Sequence, residues 1–539
     1  MKSVSRLLVA VCALVIGIYV YMSQSGLLEL LSPSAADTYY NLLVRGFQAR
    51  QLSLQKEAPP GLAELANPYD PTANAPYRLM PNRLHDLSYY KGRLYLYFGV
   101  TPALVLFWPF AALTGQYLFH RQAVTVFCAV GFLASVGLLY ALWRRYFTDV
   151  SAGVVAACAL ALGLATGVPV LLSQADIYQV PIACGYMLIM LALGSVWCAL
   201  YEPEPRKSLR CLVMASALYG LAVGARPQLL FGAVILILPV AHAWRDRRPI
   251  LAPLLAVTGP IIVIGLGLLL YNYRRFDNPF EFGLRYQLSG QNQDTLQFFG
   301  LQNFWFNIRV YFLEPVRWSS QFPFVRRIVQ PALPPGHSNV EGAFGVLTNI
   351  PLVWLALAAP LARRKRSAED GRTLGWFMTA VALVFGMGTL TIAFYCYTSV
   401  RFQVELLPSL LLLAVIGILG LERTLADHPT QRRAVRLVWG VLLAFSVTFN
   451  LLASVEYHAE AHHVQGVTLF QEGKVPEAVE QYKEALRLYP DYPKAHVNLG
   501  IALEQMGRVQ EAIEQYEQAL RLNPDYTKAQ NALTRLRSP

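Results

Sequence analysis

The chain has 539 residues, 55% of them hydrophobic and only 14% charged, with a formal net charge of +12. Soluble domains carry about 25% charged residues, so a wholly soluble protein is excluded, and a mean hydropathy of +0.38 agrees. The basic excess sits in short segments between long apolar runs, the positive-inside pattern of membrane proteins, which argues against nucleic acid as a partner.

A spanning helix needs about 20 apolar residues. The first such run, 6–23, follows Lys2 and Arg6. It reads as a retained span. The rival is a cleaved signal peptide ending near Ser34-Ala35-Ala36, which leaves the remaining topology unchanged. An outer loop of about residues 24–119 follows. Asp37, in SAADTYYNLLVRGF, stands at the water interface where an amphipathic helix begins. It serves either as the N-cap or as a carboxylate base facing an outward cleft. In RLHDLSYYKGRLYLYFG, Asp86, Lys91 and Arg93 lie among tyrosines. Such a set suits a phosphate beside an apolar or sugar ligand, and equally suits interfacial anchoring. Segment 94–113 contains two prolines and a glycine and is expected to lie in the interface or re-enter.

Further runs occupy 120–143, 150–172, 177–200, 209–225, 227–244 and 250–271. Stretch 211–243 would extend about 50 Å as one helix, too long for a core of about 30 Å. Arg226-Pro227 in its middle splits it. Asp176 lies in the turn SQADIYQVP and Arg226 in GARPQ. A second outer loop, about 272–341, precedes runs at 342–361, 373–396, 400–421 and 434–455. Eleven spans result. Arg401 opens the tenth, one helical turn before Glu405, so an internal ion pair is expected.

The clusters Arg144/Arg145, Arg206/Lys207/Arg210, Arg245/Arg247/Arg248, Arg363/Arg364/Lys365/Arg366 and Arg432/Arg433 then share one side, the expected cytoplasm. The two long loops and the C-terminal tail face outward. Asp37, Asp86, Lys91, Asp176, Arg226 and Arg401 all map to that outer side and are candidates for one pocket. The seven cysteines fall within or beside apolar runs, so no soluble pair is expected for a disulfide framework or zinc site.

The C-terminus repeats itself. Gly466/Gly500, Ala478/Ala512, Tyr482/Tyr516, Ala485/Ala519 and Pro490/Pro524 are each 34 residues apart, and EAVEQYKEALRLYPDY and EAIEQYEQALRLNPDY are near-copies. That period identifies two tetratricopeptide repeats, with a capping helix at about 527–536. Domains are thus expected at 1–455 (membrane) and 459–539 (repeats). No Pro or Gly separates the last span from the first repeat before Gly466, so one helix is expected to run through both. His458, His462 and His463 offer a metal-ligand spacing, or simply a solvated face beside the membrane.

In order, ADTYYNLLVRGF, YYKGRLYLYFGVTPAL, GLAVGARPQLL, YNYRRFDNPFEFGLRY and RFQVELLP resemble the GT-C superfamily of polyprenyl-phosphate-sugar glycosyltransferases. Protein O-mannosyltransferases and bacterial lipid A aminoarabinose transferases are better-known branches. The resemblance covers roughly residues 1–455. It implies Asp37 as the base or the residue that orients the acceptor, Asp176 as an acidic residue joining the site, Lys91 or Arg93 on the lipid phosphate and Arg401 on the donor. Thr38 stands where many members have a second acid, and Phe402 where Tyr is common. The chemistry is coherent: cations stabilise the leaving phosphate, and a carboxylate takes the acceptor proton.

The expected fold is all-α: a polytopic transmembrane bundle followed by an α-solenoid of two repeats. The expected function is sugar transfer from a polyprenyl-phosphate donor to an acceptor on the outer face of a bacterial-type inner membrane. Asp37 and Asp176 are the catalytic candidates; Lys91, Arg93, Arg226, Arg401 and Asp86 the binding ones. No cofactor is specified, and no ligand set indicates a divalent metal. Membrane lipid, the lipid-linked sugar and a protein or glycan on the repeats are the expected partners. Two alternatives are a non-catalytic membrane scaffold whose repeats recruit proteins, and a transporter or polysaccharide polymerase.

Overall fold

The computed structural model describes residues 2–25, 34–78, 84, 86–293, 296–329 and 331–537. Among the described residues, nine helices are long and apolar enough to cross a membrane. Two shorter apolar helices, Ala152–Leu164 and Pro351–Arg363, fill the remaining predicted positions, the third and the eighth. The third breaks at Thr166-Gly167 and resumes over Val168–Leu172, with Pro169 in its first turn. The eighth is a 13-residue 3₁₀ helix. At about 2.0 Å rise per residue such a helix extends about 26 Å, which explains why so few residues suffice.

The fifth and sixth spans, Pro205–Ala225 and Pro227–Arg245, meet at Arg226, whose backbone is extended, as the Arg-Pro pair predicts. The seventh, Leu251–Phe276, is only 11% buried and turns Leu255, Val263, Leu266 and Leu270 outward. The fourth, Gln179–Tyr201, is 78% buried at the bundle centre. The predicted basic segments gather at one end of the bundle. There the Arg366 and Arg423 guanidiniums donate to the Tyr146 carbonyl at 3.1 and 2.9 Å, and Arg145 faces Asp370 at 3.5 Å.

Among the described residues, three small two-stranded sheets decorate the loops. β1 (Leu87–Tyr90) and β2 (Arg93–Leu96) form a hairpin closed by Lys91-Gly92, both at positive φ. β3 (Arg317–Trp318) pairs antiparallel with β4 (Val325–Arg326). β5 (Asn339–Glu341) pairs in parallel with β6 (Tyr397–Ser399) and so ties the second outer loop to the start of the tenth span. Segment 94–113 does not span: after β2 it forms two short helical pieces ending at Gly115.

The eleventh span is one helix of 43 residues, Pro429–Gln471, which continues into the first repeat. The 455–459 division lies inside it. The repeat helices that follow, Val475–Leu488, Pro493–Gln505, Val509–Leu522 and Thr527–Arg537, enclose a separate apolar core. Gly466 packs against the Tyr482 ring, where an added Cβ would stand 2.6 Å from a ring carbon. Gly500 meets Tyr516 in the same way, so glycine and tyrosine recur together at the repeat period.

Cys198 and Cys211, within the fourth and fifth spans, are joined in a disulfide. One expectation is corrected here. The three histidines do not form a solvated face. The His462 ring lies 2.8 Å from the Gln481 amide oxygen, and His463 is buried between Tyr482 and Tyr492.

Candidate active site

A cleft of about 640 Å³ opens at the end of the bundle opposite the basic clusters. Asp86, Asp176, Arg226, Glu341 and Arg401 line it, brought from five segments. Asp86 precedes the β1–β2 hairpin with φ of +60°. Asp176 occupies the turn into the fourth span, and Arg226 the junction of the fifth and sixth. Gly99 lets the outer loop lie across that junction: a Cβ there would sit 2.2 Å from the Ala225 carbonyl oxygen. Only a residue without a side chain allows so close a backbone approach.

Arg401 lies in a 3₁₀ turn, Val400–Glu405. It donates to Glu341 at 2.5 Å and to the Ser399 hydroxyl at 3.1 Å, and its guanidinium stacks 4.9 Å from the Tyr178 ring centre. Glu341 also accepts from the Tyr397 and Ser399 hydroxyls at 2.8 and 2.9 Å. Burial pushes the Glu341 carboxyl up, but Arg401 and the two hydroxyls outweigh burial and hold it below the ordinary carboxylate range.

The expected Arg401–Glu405 pair is not formed. Four residues along a 3₁₀ turn is one and a third turns, so the two side chains diverge. Glu405 instead accepts from Arg226 at 2.8 Å and from the Gln228 amide. Arg226 stacks on Phe402 at 5.1 Å, and its second terminal nitrogen is buried with no hydrogen-bond partner among the described residues. An unsatisfied buried guanidinium nitrogen is costly, and an anion in the cleft would satisfy it. Asp176 is buried; its carboxylate accepts the Ile177 N–H at 2.6 Å and lies 3.8 Å from the His120 ring. Tyr178 donates to Asp86.

Of the seven residues singled out from the sequence, four line this cleft: Asp86, Asp176, Arg226 and Arg401. Asp37, Lys91 and Arg93 are not among its lining residues. Asp37 is exposed and pairs with Arg45 at 3.2 Å, two turns along the short helix Tyr39–Gln48. Lys91 sits in the hairpin turn, exposed, and donates to Asp277 at 2.6 Å. Arg93 opens β2 and is exposed.

Sequence reading missed Glu341, because its partner lies 60 residues away and a three-residue parallel pairing has no periodic signature. It also missed Arg327 and Glu460, which contribute to the cleft from the second outer loop and from the last helix. The faint signal for Glu341 was a single acid in SNVEGAFG, inside a loop otherwise rich in arginine. Among the described residues, no group of three or more His, Cys, Asp or Glu is placed to hold a metal ion.

Residues 466–507 match the family model described as TPR repeat, and residues 493–526 the one described as tetratricopeptide repeat. The C-terminal module is therefore a tetratricopeptide array. No curated protein matches the chain in sequence. Among solved structures, the chain is similar to ArnT from Cupriavidus metallidurans bound to undecaprenyl phosphate. That likeness covers 94% of this chain and 79% of that one, at 14% identity and a TM-score of 0.40. It is also similar to the apo oligosaccharyltransferase of Archaeoglobus fulgidus, at 14% identity and a TM-score of 0.44. A third likeness is to the oligosaccharyltransferase AglB of that organism, in complex with an inhibitory peptide and a dolichol-phosphate, at 13% identity and a TM-score of 0.44. For each archaeal structure the match covers 90% of this chain and 60% of the other.

Proposed function

We propose that the protein is a membrane glycosyltransferase that moves a sugar from a polyprenyl-phosphate donor to an acceptor in the cleft. The observation that carries this reading is the convergence of Arg226 and Arg401 with Asp86 and Asp176 on one cleft. Arg401 and Arg226, the latter with a buried guanidinium nitrogen lacking a partner among the described residues, suit a phosphate monoester or diester. Burial around them strengthens their pull on charge that develops as the sugar leaves.

In the proposed step the acceptor oxygen attacks the anomeric carbon, and the bond from that carbon to the phosphate oxygen breaks. The polyprenyl phosphate departs with the electron pair, against Arg226 and Arg401. The acceptor proton passes to a carboxylate, for which Asp176 is the proposed base because it is buried and lines the cleft. A single displacement inverts the anomeric centre. The cleft end faces away from the cytoplasm, toward the periplasm of a bacterial-type inner membrane, and the repeats lie on that side. The basic clusters at the other end support this orientation.

The test is protection from heat. Undecaprenyl phosphate added to the chain in nanodiscs at about 100 times its Kd is expected to add about 2.7 kcal/mol to the apparent stability. The double variant R226Q/R401Q is expected to lose that protection while its own melting stays cooperative. Full protection in the double variant would sink the reading.

A further inference from the structure

The end of the bundle opposite the cleft is strongly basic. There, residues 143–151, 363–372 and 422–436 carry eleven Arg and Lys against five Asp and Glu. Glu422 is held by Arg432 and Arg436, and Asp427 by Lys365. Asp370 faces Arg145 at 3.5 Å, while Asp149 and Glu369 are exposed. Among the described residues, none of the five acids forms an ion pair with Arg366 or Arg423.

These two arginines nevertheless converge. Both donate to the carbonyl of Tyr146, the last residue of the second span His120–Tyr146, at 3.1 and 2.9 Å. A helix C-terminus carries about half a negative charge. That draws arginines in but leaves two full charges largely unneutralised. Burial and the neighbouring Arg423 charge hold the Arg366 guanidinium down to about 10. Arg366 sits 4.2 Å over the Tyr146 ring; Arg145 sits 5.6 Å over it and 4.4 Å over the Tyr201 ring. With Asp370 counted against them, the three arginines keep an excess of two positive charges.

An apolar groove leads to this cluster. Gly137 and Ala141 line it from the second span, Gly194 and Trp197 from the fourth, and Met214 from the fifth, around about 520 Å³. A Cβ added to Gly137 or Gly194 would meet nothing within 4 Å, so the space is open. The stripe through Gly137 and Ala141 reaches Arg145 one helical turn further on. Trp197 packs 4.1 Å from Tyr201, the ring that Arg145 covers. The groove therefore runs along the spans and ends on a cationic, aromatic rim, where lipid headgroups lie. We propose that groove and cluster together bind a phospholipid with two phosphates, such as cardiolipin. One acyl chain lies in the groove, and the phosphates sit against Arg145, Arg366 and Arg423. The two phosphate charges match the excess of two on the protein. This site is independent of the cleft and of the transfer reading.

The experiment is native mass spectrometry of the full chain in detergent micelles, titrated with cardiolipin, phosphatidylglycerol, phosphatidylcholine or pyrophosphate. Cardiolipin is expected to bind about tenfold tighter than phosphatidylglycerol, and phosphatidylcholine more weakly than either. R366Q/R423Q is expected to weaken cardiolipin about 25-fold, roughly fivefold for each cation removed, and to erase the preference. G137L/G194L fills the groove and keeps every charge. It is expected to weaken cardiolipin about tenfold and to leave any pyrophosphate binding unchanged. If R366Q/R423Q does not melt cooperatively, G137L/G194L decides alone. Equal binding of the three lipids, or a cardiolipin preference that survives either folded variant, overturns the inference. So does pyrophosphate binding as tightly as cardiolipin, since the site then takes a soluble anion.

Discussion

Arg401 depends on Glu341 for its placement, and that dependence can be read by acid. Glu341 holds its proton more weakly than an ordinary glutamate because Arg401, Tyr397 and Ser399 outweigh its burial. A carboxyl with a lowered folded value stabilises the protein above its ordinary value of 4.5, and that stabilisation drains away as pH falls toward the folded value. The melting temperature of E341Q should therefore lie below wild type by a constant gap at neutral pH, and the gap should close below about pH 4.5. A gap unchanged at acid pH would mean that Glu341 is not ionised in the fold. The two proposed acids separate just as cleanly. In release of undecaprenyl phosphate from an undecaprenyl-phosphoryl sugar, D176N is expected to cost on the order of 100-fold or more, the usual worth of a general base. D37N is expected to stay near wild type, since Asp37 is exposed and engaged with Arg45.

At the level of elements, periodic signals survived translation into structure and pairwise ones did not. Long apolar runs and the 34-residue period each repeat one physical requirement many times, and the Arg226-Pro227 break is a local backbone restriction, so they were legible. The partners of Arg226 and Arg401 were not, because Glu405 and Glu341 lie 179 and 60 residues away in the chain. The proximity of Arg401 and Glu405 misled because the local turn is 3₁₀. The β1–β2 hairpin was not legible, since LSYY and RLYL are buried almost throughout rather than on alternate residues, which leaves the Lys91-Gly92 turn as the sole cue. Gly466 gives an element-scale test. Gly466→Ala drives a methyl into the Tyr482 ring at 2.6 Å. Such overpacking costs about 1–3 kcal/mol, so hydrogen exchange in Val475–Leu488 should quicken while the membrane spans are unchanged. Unaltered exchange would count against the packing described.

For the whole molecule, the repeats are fixed in place by a few charged contacts and one shared helix. The Arg326 and Arg327 pairs are the only side-chain ion pairs, among the described residues, between the β3–β4 loop and the last helix with its module. R326A/R327A should loosen the turn around Tyr489 and Asp491, read as faster exchange there, with the tenth span Leu407–Thr424 unaffected. An unchanged turn would show that the helix alone sets the module's position.

The 43-residue helix also orders the protein's biogenesis. The first repeat borrows its opening helix from the tail of the last span, so its packing on Tyr482 and the placement of that span share one rigid element. Folding during synthesis proceeds from the N-terminus, which places the module last, after every loop of the cleft has emerged.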